Sequence, residues 1–247
     1  MPAETAGTIA EIWRYPVSSL GGEMLNSVEL GETGIAGDRG WCLTEAHSRQ
    51  PAAPEKEPRW RPALFLQSRL QRELPEIGFP DGSWFPVDAA ALRTRLSEHF
   101  GFDVVVRPYG TAAGAASDLE PAVNRYEPSP LHLVTTGTLD HLSSLLGTGD
   151  VSSRRFRPTV LLRTASGAQF EEPSWMGRPI RIGSALVEVS EEAKRCGMTL
   201  IAQPDLAEQP EILRTILRHN RRNLGVYCTV TLPGSISVGE PAVVEAG

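Results

Sequence analysis

The second half of the chain is a series of short β-branched and apolar runs, each stopped by glycine or proline, and this punctuation limits the fold more than any other feature. Leu131–Thr135, Pro158–Arg163, Ile180–Val189, Val226–Leu232 and Ile236–Val244 read as strands; Gly183 turns the third back on itself, and Pro233 with Gly234 separates the last two. Only two segments there carry a helical period. Thr138–Leu146 places Leu139, Leu142, Leu145 and Leu146 on one face and is closed by Gly147, and a second helix opens at Pro210 with Ile212, Leu213, Ile216 and Leu217 as its apolar face. Arg218, Arg221 and Arg222 fall in its last turns, where the macrodipole favours cations. Many short strands with few helices predict a mainly β, α+β chain built as a barrel or sandwich rather than a parallel sheet.

The first half is marked more thinly. Thr8–Tyr15 suits a strand ended by Pro16, Met24–Leu30 a second, and Trp41–Leu43 a third after the turn Gly34–Arg39, whose two glycines accept positive φ. Gln50–Pro62, with Pro51, Pro54, Pro58 and Pro62 and several charges, reads as a surface loop. Leu64–Gln67 reads as a strand, Asp88 as the cap of a helix running through His99 to Gly101, and Asp103–Arg107 as another strand. Gly110–Ser117 is almost entirely Gly, Ala, Ser and Thr; as a linker it divides the chain into units 1–115 and 116–247.

A chain of 247 residues with 23 glycines and 20 prolines fits one large turn-rich domain or two small ones, long enough to bury a core without metal or disulfide staples. No apolar run approaches the roughly 18 residues of a membrane span, and Met1–Thr5 lacks the basic flank and apolar core of a secretory signal, so a cytoplasmic location and no membrane association are expected. The net charge of −6 argues against general affinity for nucleic acid. Cys42, Cys196 and Cys228 are too few and too scattered for a zinc or iron–sulfur site, so any cluster must belong to another chain.

Each cysteine is then weighed as a thiol. Cys196 follows Lys194 and Arg195 between two predicted strands, and cations beside a sulfur favour the thiolate, which is both nucleophile and metal ligand. An ordinary loop cysteine would satisfy the same pattern. Cys42, between Trp41 and Leu43, and Cys228, between Tyr227 and Thr229, read as packing residues. Arg154, Arg155 and Arg157 precede a strand and could clamp a phosphate or simply face solvent; Asp38 and Arg39 in the double-glycine turn are equally open. There is no phosphate loop of the Walker type, no dinucleotide fingerprint after the first strand, no Gly-x-Ser-x-Gly elbow and no histidine spacing suited to a metal.

The order of these pieces resembles a known family. Tyr15-Pro16-Val17-Ser18-Ser19-Leu20 and the run Gly34 to Trp41 resemble the N-terminal β-barrel domain that precedes the MOSC domain, the module named for the C-terminal part of molybdenum cofactor sulfurase. Phe156-Arg157-Pro158, Phe170-Glu171 with Trp175, Arg195-Cys196 with Thr199, Gly225-Val226-Tyr227, and Pro233-Gly234 through Val238-Gly239 resemble the MOSC domain itself. The similarity is closest to two-domain members that include the mitochondrial amidoxime reducing component and its bacterial relatives, with residues 46–120 contributing little.

The resemblance implies an N-terminal β-barrel-like domain followed by a MOSC-type β-barrel. It implies a molybdenum–molybdopterin cofactor, its metal held by Cys196 and its phosphate met by Ser19, Arg39 and Arg157, with Glu127, Ser129, Arg155, Thr159 and Thr199 completing the site. Ser18 stands where the family usually has lysine, and Thr159 where it usually has asparagine. The implied activity is reduction of small N-oxygenated compounds, hydroxylamines or amidoximes, with electrons from a separate redox protein, because the chain carries no cluster, haem or flavin motif of its own. A cofactor or sulfur carrier without turnover, and a barrel serving only as an interaction module, are the alternatives.

Overall fold

The computed structural model describes residues 4–110, 120–124, 129–147, 149–164 and 167–246. Its first half runs β1 (Glu4–Arg14), β2 (Glu23–Leu25), β3 (Ser27–Gly31), β4 (Gly34–Ile35), β5 (Trp41–Glu45), β6 (Gln67–Gln71), β7 (Leu74–Gly78), β8 (Trp84–Pro86), α1 (Ala90–Phe100) and β9 (Val104–Pro108). The second half runs β10 (Leu131–Thr135), α2 (Thr136–Leu146), β11 (Val160–Arg163), β12 (Pro179–Ile182), β13 (Ala185–Lys194), α3 (Glu211–Asn220), β14 (Asn223–Leu232), β15 (Gly234–Ser237) and β16 (Pro241–Val244).

Seven strands close a barrel in the order β11-β10-β14-β13-β12-β16-β1, sealed by β1 pairing with β11, while β2 extends the outer end of β1. Every pairing in this barrel is antiparallel except β10 with β11, and that crossover is made by α2 and the segment after it. β1 reaches three neighbours by changing register twice: Glu4–Thr8 pairs with β16, Thr8–Ile12 with β11, and Ile12–Arg14 with β2. One of those shifts falls at Gly7, where φ is 144° and a Cβ would stand 2.4 Å from the Arg163 carbonyl oxygen, so only glycine lets the strand bend there. The interior is lined by Ile9, Ile12, Leu133, Val160, Val187, Val226 and Cys228. Each fully buried aliphatic side chain of this kind contributes about 1.5 to 3 kcal/mol.

The linker reading puts β1 within 1–115, and its strand partners β11 and β16 lie in the second half of the chain. β3 also reaches across, pairing with β15 on one side and with β4 on the other in a separate three-stranded sheet. The linker expected at Gly110–Ser117, and with it the 115/116 boundary, falls almost wholly outside the described residues. What the first half keeps to itself is the β5–β9 ladder, the β6-β7-β8 meander and α1, packed around Val17, Leu20, Leu43, Trp60, Ile77 and Leu96. In a separate cluster α2 and α3 meet through Leu139, Leu142, Ile212 and Ile216, together with Phe156 and with Val134, Leu161 and Leu224 from the strands. Gly147 closes α2 in the left-handed region, and Pro210 caps α3, both as their positions in the sequence suggest.

Several local expectations are corrected. Gln50–Pro62 is not an exposed loop: Pro51–Pro54 are buried, Ala52 N–H donates to the Leu43 carbonyl, and Pro58 opens a 3₁₀ helix, Pro58–Phe65. Trp60 in that helix packs edge-on against Phe100 and Phe102, and this burial outweighs the polar composition of the segment. The same helix displaces the strand expected at Leu64–Gln67, which begins only at Gln67. Asp88 does not cap α1; Ala89 occupies that position with no side-chain bond. Met24–Leu30 and Ile236–Val244 each split in two because the chain changes sheets midway, at Asn26 and at the Gly239 turn.

Candidate functional site

The two halves meet at Tyr15. The bend that follows β1 is laced to the double-glycine turn by three main-chain bonds: Arg39 N–H to the Tyr15 carbonyl (2.8 Å), Trp41 N–H to Pro16 (3.2 Å) and Ser18 N–H to Trp41 (2.7 Å). Asp38 accepts from Tyr15 N–H at 2.7 Å and forms an ion pair with Arg39. The Arg39 guanidinium then reaches across to the second half, donating from Nη2 to the Arg157 carbonyl at 3.0 Å. Both cations lie over the Tyr15 ring, with guanidinium carbons 4.9 Å (Arg39) and 4.2 Å (Arg157) from its centroid. An aromatic face shared in this way offsets part of the repulsion between two like charges.

Ser19, Arg39 and Arg157 all hold left-handed backbone, with φ of 71°, 51° and 54°. Non-glycine residues adopt that region at a cost of about 1 kcal/mol or more, and the surrounding bonds must enforce it. For Arg157 the enforcement is visible, since its carbonyl accepts from Arg39 on one side and from Nδ1 of His132 (3.3 Å) on the other. Its guanidinium has no carboxylate partner, and its Nη2, sealed from solvent, has no hydrogen-bond partner among the described residues. Burial, only partly offset by Tyr15, pulls the Arg157 pKa from 12.5 down to about 10, so the group remains charged at neutral pH.

Cys196 lies between β13 and a short 3₁₀ helix, Gly197–Leu200, and is the one half-buried thiol of the three cysteines. Arg157 and Arg195 are both close enough to it for their charges to interact with its sulfur. Arg195 is half-buried; its Nε is sealed from solvent and unpartnered among the described residues, while Nη1 contacts Nε2 of His132 (2.9 Å) and the Leu224 carbonyl (3.3 Å). Cys42 and Cys228 are packed into the two cores, where burial pushes each thiol up to about 12.

Other residues named from the sequence stand one step back. Thr199 is buried and donates its hydroxyl to the Cys196 carbonyl at 3.1 Å; Arg155 is buried and donates to the Thr199 and Ala207 carbonyls, holding the same turn from outside. Thr159 is a framework residue, its hydroxyl accepting from His132 N–H and its carbonyl from Trp13 N–H. Ser129 donates to the Leu131 carbonyl at 3.4 Å, and among the described residues it makes no hydrogen bond to Cys196 or the arginines. Glu127 lies outside the described residues. Tyr15, Arg195 and His132 carry most of the site's internal contacts; Tyr15 and Arg195 were visible only as parts of motifs, and nothing in the sequence marked His132.

Among the described residues no group of three or more His, Cys, Asp or Glu is placed to hold a metal ion, and no helix is long and apolar enough to cross a membrane. Among the described residues the site offers one half-buried sulfur and the guanidiniums of Arg39, Arg157 and Arg195, with the Asp38 carboxylate paired to Arg39. That combination suits an anion which brings most of its own metal ligands.

The fold is shared with a solved structure. The crystal structure of YuaD from Bacillus subtilis is similar over 98% of this chain and 96% of its own, with a TM-score of 0.53 at 14% identity, which speaks to the fold alone. YiiM from Geobacillus stearothermophilus is similar over 48% of this chain and 55% of its own, with a TM-score of 0.38 at 19% identity. No curated protein matches at a significant level. The family model of the MOSC N-terminal beta barrel domain matches residues 6–70, and that of the MOSC domain matches residues 120–243, the span that contains Arg157, Arg195 and Cys196. The chain belongs to the MOSC family.

Proposed function

We propose that the chain is a molybdenum cofactor-dependent oxidoreductase that reduces small N-oxygenated compounds of the hydroxylamine or amidoxime class. The observation that carries this reading is the meeting, at one place, of a half-buried thiol, Cys196, with a guanidinium, Arg157, whose sealed Nη2 has no partner among the described residues. A pterin cofactor fits both demands, because its phosphate satisfies the arginine and its dithiolene-bound metal takes one further thiolate. When bound, the cofactor supplies the metal centre at which oxygen is removed from nitrogen.

The chain's own groups bind and orient. Arg157 and Arg39 hold the phosphate, with Ser19 on the adjoining bend, and Tyr15 keeps the two cations side by side. Cys196 gives the protein's sulfur to the metal. Arg155 and Thr199 fix the turn that presents it, and Thr159 fixes the strand that presents Arg157. Reduction of the substrate breaks its N–O bond with two electrons and two protons, and the oxygen leaves as water; a separate redox protein delivers the electrons.

The test is turnover of an aromatic amidoxime by protein made in a host that synthesises the pterin cofactor, with a reduced viologen dye as donor. Activity in the parent and none in Cys196→Ala supports the reading. Bound molybdenum without turnover would favour the carrier alternative, and no bound molybdenum would refute the assignment.

A further inference from the structure

Both arginines beside Cys196 are tied to one imidazole that the preceding reading does not use. His132, in β10, is buried, with its Nε2 2.9 Å from Nη1 of Arg195 and its Nδ1 3.3 Å from the carbonyl oxygen of Arg157. A guanidinium can only donate, so Nε2 must accept; a carbonyl can only accept, so Nδ1 must donate. Together the two contacts allow a single form of the ring, neutral with its proton on Nδ1. A protonated ring has no lone pair for Arg195, and the Nε2–H tautomer has no proton for Arg157.

The fold holds the ring in that position. Main-chain groups of His132 exchange bonds with Thr159, N–H to Oγ1 at 3.2 Å and carbonyl from N–H at 2.8 Å, and the ring packs against Tyr227 with centroids 5.2 Å apart. Gly225, on the neighbouring strand β14, has φ of 74°, and a Cβ there would stand 2.9 Å from Nε2 of His132, so only glycine admits the imidazole alongside Arg195. Arg195 is also anchored through its main chain, its N–H donating to the Arg222 carbonyl at 2.9 Å and its carbonyl accepting from Arg222 Nε at 2.6 Å.

We propose that His132 is a positioning residue of the anion site: through Nδ1 it fixes the left-handed backbone that aims Arg157, and through Nε2 it fixes the guanidinium of Arg195, joining two separate segments so that both cations face one phosphate beside Cys196. This role rests on the cofactor reading above. Surrounding groups support it, since burial and then the Arg195 charge, with Arg39 behind it, push the imidazole well below its ordinary 6.5 against the opposing pull of the Arg157 and Leu224 carbonyls, and keep it neutral.

Two measurements on the full chain, free of cofactor, test the proposal without recourse to turnover. Nitrogen-15 NMR of histidine-labelled protein should find one imidazole protonated at Nδ1 and bare at Nε2, unchanged well below pH 6.5; an Nε2–H or protonated ring at neutral pH overturns the proposal. Titration with inorganic phosphate at low ionic strength then compares the parent with His132→Phe, which keeps the ring contact with Tyr227 but neither hydrogen bond, and with His132→Gln, whose amide oxygen can replace the acceptor. Loss of one bond to a charged group predicts phosphate affinity about tenfold lower in His132→Phe, with partial recovery in His132→Gln. Equal affinity in a folded His132→Phe overturns the positioning role alone, whereas no phosphate binding by the parent overturns the cofactor reading beneath it. Should His132→Phe fail to fold, the tautomer of the parent and the affinity of His132→Gln decide.

Discussion

Replacing Arg157 with methionine should separate stability from binding. Methionine keeps an unbranched apolar stem but removes a cation that burial holds at about 10 instead of the ordinary 12.5. At about 1.4 kcal/mol per pKa unit, that displacement corresponds to about 3 kcal/mol against keeping the charge in place. Residue 157 retains some solvent contact, which screens the net penalty to about 1 to 2 kcal/mol. Against this stands the Tyr15 contact, worth about 0.5 to 2 kcal/mol, which a thioether recovers in part. Arg39 keeps its bond to the residue 157 carbonyl in either protein. The unliganded variant should therefore be as stable as the parent or more stable by up to about 2 kcal/mol, while phosphate affinity falls about tenfold to a hundredfold with the lost charge-assisted bond. Because the folded pKa lies below the unfolded one, the stability of the parent relative to the variant should rise as pH climbs above about 10; the other shifted groups are common to both proteins and cancel in that difference. Urea unfolding without phosphate and a parallel phosphate titration measure both sides. A variant that is markedly destabilised yet binds phosphate like the parent would refute the assignment of Arg157 as an anion ligand held at a cost to the fold.

Three other outcomes follow from the same geometry. Iodoacetamide at neutral pH should alkylate Cys196 in the native protein and leave Cys42 and Cys228 untouched until urea unfolds it, because both are buried with thiols pushed up to about 12; early labelling at Cys42 would contradict that packing. His132 is depressed below its unfolded value of 6.5, so below that pH the unfolded chain takes a proton that the native ring refuses, and stability falls as pH drops, by at most about 1.4 kcal/mol per pH unit. Glu172, raised by burial, acts in the opposite sense in both proteins, so the difference between parent and His132→Gln isolates the histidine; equal slopes would count against a buried neutral ring. Finally, Ser18→Lys, restoring the cation usual in the family next to the Ser19 bend, should strengthen phosphate binding at low salt and lose that advantage as salt shortens the Debye length below about 8 Å. No response at any salt would place the phosphate away from this bend.

The sequence gives away those parts of this protein whose signals are local. Cys196 stands out because cations flank it outside a strand, and Arg39 and Arg157 because each belongs to a motif; the structure joins those two arginines through a direct bond although 118 positions separate them. The helix closed by Gly147 and the helix opened by Pro210 were equally legible, since caps act over a single turn. Long-range pairing was not. Nothing within Glu4–Arg14 tells that it closes a barrel formed by strands more than a hundred residues away, because periodicity reports which face is buried and not against what. Trp60 likewise sits among prolines and charges, and its burial depends on Phe100 and Phe102. His132 is an ordinary residue in an apolar strand until Arg157 and Arg195 are folded onto its two nitrogens.

The central claim is that Cys196 is the protein's ligand to a cofactor-borne metal, and molybdenum content tests it most directly. Parent protein and Cys196→Ala, expressed together with the pathway that makes the pterin cofactor and purified gently, should be compared for molybdenum and for the fluorescence of the oxidised pterin. The account predicts near-stoichiometric molybdenum in the parent, and in the variant a loss of metal while the arginine-held pterin is partly retained and the fold is unchanged. Equal molybdenum in both proteins would contradict it.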